Sequence, residues 1–201
     1  IITSILVVHP SLPVKSVKDL IALAKAKPDA LSYASTGNGA PTHLAGELFK
    51  SMANVKILHV PYKGAAPAVI DLISGHVQLS FISAPGAMPH VQEGRLRVLA
   101  VTNTKRSLLL PDIPTINESG VPGYDANQWY GVLTQAAVPR DIIAKLHRDL
   151  AAAVQSPDYR ERFAKRGADV VVGGPEGLAK IVRDEIPLYA GIIKSAKIVA
   201  E

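Results

Sequence analysis

The chain has 201 residues, 48% of them hydrophobic, and its 22 basic and 17 acidic side chains give a formal net charge of +5. This composition is typical of a globular protein, and the length allows one large domain or two small lobes. The lack of cysteine excludes disulfides, thiolate metal sites and a cysteine nucleophile. Because the lysines and arginines form no basic block, nucleic-acid binding has little support, whereas a mildly positive field suits a small anionic ligand.

The sequence shows neither a membrane-spanning pattern nor a targeting pattern. No apolar run approaches the roughly 18 residues that cross a bilayer. The chain begins with Ile1-Ile2, without an initiator methionine, a basic n-region or a cleavage-site pattern. This start indicates a mature form or a fragment.

The opening segments predict a strand and a helix. Residues 5–9 are apolar and β-branched and stop at Pro10, which favours a buried strand. Ser16, followed three residues later by Asp19, predicts a capped helix that runs to about Lys27.

The most informative stretch is LSYASTGNGAPTHLAGELFK, residues 31–50. It predicts a short strand, a turn at Gly37-Asn38-Gly39 and a helix with Pro41 in its first turn. Leu44, Leu48 and Met52 recur at helical spacing and are expected to form its buried face. Backbone amides between Gly39 and His43 are expected to be unpaired at this helix start, which attracts anions. The alternative is that the glycines only make a tight connection.

A second unit repeats this arrangement. Residues 55–60 predict a strand, and Pro61-Tyr62-Lys63-Gly64 leads into a helix with Pro67 in its first turn. Two such units in succession predict neighbouring parallel strands whose helix starts lie at one edge of the sheet, where open α/β sheets bind ligands. Lys63 would add a positive charge there and Tyr62 a hydroxyl. Alternatively, Lys63 is a solvated loop residue.

Further strands and helices are predicted along the rest of the chain. Strands are expected at 77–83 and 96–101, with a short helix from Ala84 between them, and Thr115 with Glu118 predicts another short helix. Residues 124–134, which include Trp129, predict a long extended strand. Helices at 141–155, 157–166 and 175–194 and a short strand at 170–172 complete the prediction.

Several segments occur in an order that resembles one family. They are LVVHPSLPVKSVKDLIALAKAKP, LSYASTGNGAPTHLAGELF, VPYKGAAPAVIDLISGHVQLSF, LRVLAVT, LPDIPTINESGVPGY, and WYGVL followed by VPRDIIAKL. Together they resemble the solute receptors of tripartite tricarboxylate transporters, the Bug or TctC-like family of periplasmic binding proteins, over nearly the whole chain.

The resemblance implies an α/β fold of the periplasmic-binding-protein type II (Venus flytrap) class, with a parallel or mixed central sheet. A small carboxylate would be held between two lobes by loops at helix N-termini, with no cofactor, no metal, no reaction and no nucleic acid. It also implies a periplasmic location and the membrane subunits of the transporter as partners.

Carried over residue by residue, the family's carboxylate loop corresponds to the stretch from Ser35 to His43, and its V-P-Y-[KR]-G motif matches at Tyr62 to Gly64. His43 would be a polar pocket wall or a brace of the helix start, or else a buried and satisfied histidine. The predicted ligand-binding residues are Ser35, Thr36, Asn38, Gly39, Ala40, Thr42, His43, Tyr62, Lys63, Gly64 and Ser83.

The sequence departs from the family in two ways. Where the family often has an aspartate that pairs with a ligand amino group, this chain has Ser83, which favours a plain carboxylate over an amino acid. The family also extends well ahead of this chain, so the sequence indicates an N-terminal truncation. It predicts an intact substrate-binding lobe at 10–127, with 1–9 and 128–201 as crossing strands and helices of an incomplete other lobe.

That division has a consequence for the C-terminal helices. The helices after Pro139 bring too little sheet to cover themselves, so they are expected to expose apolar faces and to allow self-association.

Two other functions stay open at this stage. An α/β enzyme is disfavoured because the sequence has no nucleophile elbow, zinc-protease motif, P-loop or dinucleotide fingerprint, and its histidines lack metal-ligand spacing. A ligand-sensing effector domain of a regulatory protein would require a DNA-binding helix pair upstream.

Overall fold

A five-stranded mixed sheet forms the centre of the fold in a computed structural model that describes residues 1–108 and 110–199. Its strands, in sheet order β3-β2-β4-β1-β5, are β1 (Ser4–Val8), β2 (Ser32–Ser35), β3 (Leu58–Pro61), β4 (Leu79–Ser83) and β5 (Arg97–Val101). β2 runs parallel to β3 and β4, whereas β1 is antiparallel to β4 and β5. The predicted α/β class and the parallel neighbouring strands β2 and β3 are confirmed.

Seven helices occur in the described residues. They are α1 (Val17–Ala26), α2 (Pro41–Ala53), α3 (Ala65–Ile73), α4 (Ala84–Gln92), α5 (Arg140–Gln155), α6 (Pro157–Lys165) and α7 (Pro175–Ser195). The predicted cap of α1 is present, because Ser16 Oγ accepts the amide of Asp19 at 3.1 Å and the Asp19 carboxylate accepts the amide of Lys15.

The core lies on both faces of the sheet, since alternate residues of each strand point to opposite sides. One face packs against α1 and α2, and the other packs against α3 and α4. The first face includes Leu6, Val8, Tyr33, Leu79 and Phe81, and the second includes Ile5, Val7, Ala34, Ile82 and Val101. β1 is buried along its whole length. The C-terminal helix α7 contacts α2 and contributes Ile192 to the first core.

Three predicted elements are absent from the described residues. Residues 124–134 contain no strand and make only an isolated bridge between Gln128 and Ile2. Residues 170–172 form no strand either, because the nearest pairing is again an isolated bridge, from Ala168 to Ile2. An extended segment forms a strand only when several consecutive residues pair with a neighbouring strand, and a single bridge to Ile2 does not provide that pairing. The helix predicted after Thr115 is a set of turns, although Thr115 Oγ1 accepts the amide of Glu118 as expected.

The buried face of α2 differs from the predicted one. Leu48 is buried, but Leu44 is only half-buried and Met52 is 39% exposed. The helix instead turns a more polar face inward, which includes Thr42, His43, Gly46, Glu47 and Phe49. This rotation brings polar side chains under the loop that precedes the helix.

The expected exposure of apolar side chains after Pro139 is confirmed. α5 and α6 are described throughout, and neither has a buried residue. Leu146 and Leu150, for example, are 45% and 42% exposed. Self-association through these faces stays a prediction.

No helix in the described ranges is both long and apolar enough to span a membrane. The division of the chain at residues 10 and 127 also stays a prediction. β1, which that division assigns to the other lobe, lies between β4 and β5.

Candidate functional site

Three helices begin at one edge of the sheet. β2, β3 and β4 are parallel neighbours, so their carboxyl ends lie together, and each is followed directly by α2, α3 or α4. All eleven predicted site residues lie on these connections: Ser35 to His43 after β2, Tyr62 to Gly64 after β3, and Ser83 at the end of β4. The topology thus brings the predicted residues to a single edge.

The first two loops are bonded to each other. The amide of Tyr62 donates to the carbonyl of Ser35 at 3.0 Å, and the amide of Gly64 donates to the carbonyl of Thr36 at 3.1 Å. Gly39 and Gly64 have φ angles of 69° and 106°, which side chains strongly disfavour. The glycines therefore permit a turn that places the two loops side by side.

Most amides of the first loop are paired inside the loop. Thr42 Oγ1 accepts the amide of Thr36 at 2.9 Å, and Ser35 Oγ accepts that of Gly37 at 3.2 Å. His43 Nδ1 accepts the amide of Gly39 at 3.0 Å, and the amides of Ala40 and His43 donate to carbonyls of the loop. The expectation of unpaired amides from Gly39 to His43 is therefore wrong for Gly39, Ala40 and His43, because nearby side chains and carbonyls cap them.

Other amides at the same edge remain available. Thr42, Lys63, Ala65 and Ala66 find no acceptor for their backbone N–H within residues 1–108 and 110–199. These donors lie in the first turns of α2 and α3 or just ahead of α3, where the helix dipole also favours an anion. The Lys63 side chain is exposed and makes no ion pair with any described residue.

The remaining polar side chains of these loops differ in their surroundings. The Tyr62 hydroxyl donates to Asp71 Oδ2 at 2.7 Å, and burial together with this carboxylate raises the pKa of Tyr62 to about 12. Tyr62 is thus a structural member of the loop. Asn38 is exposed at the loop tip. Ser83 is half-buried at the N-cap of α4 and makes no capping bond with its side chain.

His43 supports the loop from beneath. Only 5% of the residue is exposed, and its ring stacks on that of His59 with centroids 3.7 Å apart and planes 9° from parallel. His59 Nε2 lies 2.6 Å from Ser35 Oγ. Burial lowers the pKa of both histidines, that of His59 to about 4. Of the three roles open for His43, the geometry corresponds to a buried brace of the helix start.

A buried carboxylate completes this polar layer. Glu47 Oε1 accepts the Tyr33 hydroxyl at 2.7 Å and pairs with Lys50 Nζ at 2.6 Å. Burial, followed by the charge of Glu47, raises the pKa of Tyr33. Because the Tyr33 hydroxyl donates to Glu47 Oε1 and Lys50 balances its charge, Glu47 can lie in the core beside two neutral histidines.

Sequence reasoning missed His59, Glu47 and Ser4 at this edge. His59 pairs in register with Tyr33, a signal visible only once β2 and β3 are aligned. Ser4 lies opposite Ser83, is 2% exposed, and its Oγ finds no partner among the described residues. Its position depends on the antiparallel insertion of β1, which no local pattern announces.

A cavity of about 540 Å³ lies at the opposite edge of the sheet, between the end of α4 and residues 110–113. Its walls are mainly apolar, and its guanidinium, from Arg97, already donates to the carbonyls of Leu12 and Val14. This cavity offers no grouped donors for an acid. No cluster of three metal-ligating side chains occurs in the part of the chain that the structure describes.

A mixed α/β sheet with three helix N-termini grouped where its parallel strands end is typical of α/β proteins that bind a ligand at that edge. The family model described as "Tripartite tricarboxylate transporter family receptor" (TctC) matches residues 2–198, and the chain belongs to this family.

Similar proteins include the protein BugT of Bordetella pertussis, 35% identical over 190 residues that cover 94% of this chain and 58% of BugT. Among solved structures, R. palustris Rpa4515 with adipate is 38% identical with a TM-score of 0.81, and the match covers 98% of this chain and 66% of the Rpa4515 chain. MatC from Rhodopseudomonas palustris with bound malate is 26% identical with a TM-score of 0.74, covering 96% and 66%. The chain thus spans about three fifths of the length of BugT.

Proposed function

We propose that this chain is the ligand-binding part of a periplasmic receptor that captures a small carboxylate for a tripartite tricarboxylate-type transporter and performs no reaction. The observation that carries the proposal is the grouping at one sheet edge of four amides, those of Thr42, Lys63, Ala65 and Ala66, that have no acceptor among the described residues, beside the charge of Lys63.

Backbone amides suit a carboxylate ligand for an energetic reason. Hydrogen bonds to an ionised oxygen are roughly twice as strong as neutral ones. Fixed amides supply them without burying a basic side chain, which would cost several kcal/mol of desolvation. The positive charge that Lys63 brings to this site stays exposed to solvent.

Two relatives support the ligand class. The structure of Rpa4515 contains adipate and that of MatC contains malate, and both ligands are dicarboxylates. At the end of β4 this chain has the hydroxyl of Ser83 where the family often has an aspartate carboxylate. A hydroxyl there fits an acid without an amino group. The partners proposed from the family are the membrane subunits of the transporter.

Calorimetric titration of the chain with adipate, malate, succinate and citrate tests the proposal directly. Ala65→Pro is the sharpest variant, because Ala65 is the first residue of α3, where proline fits the helix and removes one unpaired N–H. Loss of one charge-assisted bond predicts about a tenfold weaker affinity. The control Arg140→Pro introduces a proline at the first residue of α5, away from the site, and also removes one positive charge, so it bounds the effect of both changes. Absence of binding to every acid by the unmodified chain would overturn the function.

A further inference from the structure

Two histidines form a stacked pair below the proposed carboxylate loop. The His43 and His59 rings are nearly parallel, with centroids 3.7 Å apart, and the Tyr33 ring lies against both, with its centroid 4.9 Å from that of His59 and 6.4 Å from that of His43. His59 comes from β3 and His43 from α2, so the pair joins the two elements that carry the loops.

Each histidine holds a different end of the loop. His59 Nε2 lies 2.6 Å from Ser35 Oγ, which in turn bonds the amide and the carbonyl of Gly37. At the other end, His43 Nδ1 accepts the amide of Gly39. The stack fixes the plane of the His43 ring, and with it the direction of the Nδ1 lone pair.

The bond to Gly39 also defines the protonation state of His43. An imidazole nitrogen that accepts an N–H carries no proton, so a charged His43 would set two donors against each other at 3.0 Å. The titratable groups that face the pair are Tyr33 from β2 and Glu47 and Lys50 from α2. Glu47 and Lys50 pair with each other at 2.6 Å, so much of their charge cancels.

We infer that His59 is a positioning residue for the carboxylate loop, which keeps its binding shape only while the stacked pair is neutral. This inference rests on the proposed function. His59 acts through Ser35 and through the ring of His43, without contact to the ligand. Burial lowers the pKa of His59 to about 4 and that of His43 below its usual value, so the pair is neutral near pH 7.

The two contacts of His59 can be separated by substitution. His59→Gln keeps a polar group near Ser35 but loses the ring, His59→Phe keeps the stack but loses the bond, and His59→Ala loses both. We expect His59→Ala to weaken adipate affinity about tenfold, and each of the other variants to retain part of it. The control is His147→Ala on α5, an exposed histidine remote from the loop.

A measurement without ligand separates this inference from the proposed function. Hydrogen exchange of the Gly37 and Gly39 amides, followed by NMR, is expected to accelerate at least tenfold in His59→Ala and to stay unchanged in His147→Ala. Unchanged exchange at both glycines would overturn the positioning role, whether or not the chain binds adipate. Accelerated exchange in a chain that binds no acid would overturn the proposed function alone.

The pH profile supplies a second readout. As pH falls from 7 to 4, adipate affinity is expected to decrease by a larger factor in the unmodified chain than in His43→Asn, which keeps an acceptor for Gly39 but does not titrate. Protonation of adipate affects both proteins equally and cancels in the comparison. Identical profiles would overturn the requirement for a neutral pair.

Discussion

Gly46 of α2 lies so close to Tyr33 of β2 that a β-carbon at Gly46 would come within 2.3 Å of Tyr33 Cε2. The ring cannot retreat freely, because its hydroxyl is bonded to Glu47 and its face stacks on His59. The close approach of helix and strand thus sets the position of the polar layer beneath the loop.

Gly46→Ala is expected to destabilise the fold by about 1–3 kcal/mol, since overpacking outweighs the gain in helix propensity of up to about 1 kcal/mol. The matched control is Gly191→Ala in α7, where the added carbon meets no atom within 4 Å. That variant should be neutral or stabilising. Urea unfolding of both proteins gives the answer, and equal stabilisation by the two alanines would contradict the packing described here.

Asp125 provides a pH-dependent test. Burial, followed by the charge of Glu185, raises its pKa from 3.8 to about 6. The folded state therefore binds this proton more tightly than the unfolded state, and the contribution of Asp125 to stability falls as pH rises from about 4 to 6. Asp125→Asn removes the buried charge and should stabilise the protein by about 1–2 kcal/mol at pH 7.5.

The gain from Asp125→Asn should shrink steadily as the pH is lowered through 6 towards 4. Unfolding in urea at pH 7.5, 6 and 4.5 measures this trend. A gain that is the same at all three values would mean that the carboxyl group titrates normally.

Lys63 tests the long-range part of the proposed binding. Its side chain is exposed, so its attraction for an anion is screened by salt. Lys63→Ala should weaken adipate binding by about threefold at low ionic strength and flatten its salt dependence. Titrations at 20 and 300 mM NaCl show both effects. Lys56→Ala on an exposed residue ahead of β3 is the control for net charge.

The leucines of α2 and α5 test which apolar faces belong to the core. Leu48 is 3% exposed and Leu146 is 45% exposed. Leu48→Ala should cost about 2–5 kcal/mol, whereas Leu146→Ala should cost well under about 1 kcal/mol. Equal losses of stability in the two variants would show that the face of α5 is covered in solution.

The strand–loop–helix units could be predicted because their signals are local. Glycines at positive φ after β2 and β3 and prolines in the first turns of α2 and α3 determine the backbone almost alone. Parallel pairing followed from the succession of two such units. The grouping of the predicted site residues at one edge therefore needed no long-range information.

The buried polar layer could not be predicted in this way. Helical spacing of leucines indicated one face of α2, but Glu47 is tolerated inside because Tyr33 and Lys50 satisfy it. The capping of Gly39 by His43 likewise depends on a ring that is held by His59 from another strand. Such contacts join distant positions of the chain, where short patterns carry no information.

The internal position of β1, between β4 and β5, has a consequence for how the chain folds. Ser4 pairs with Ser83, and Ile5 pairs with both Ile82 and Val101, so β1 can pair only with strands that lie far along the sequence. Closure of loops this long slows folding. Deleting the first eight residues would therefore not trim an edge strand, because it would separate β5 from the other three strands.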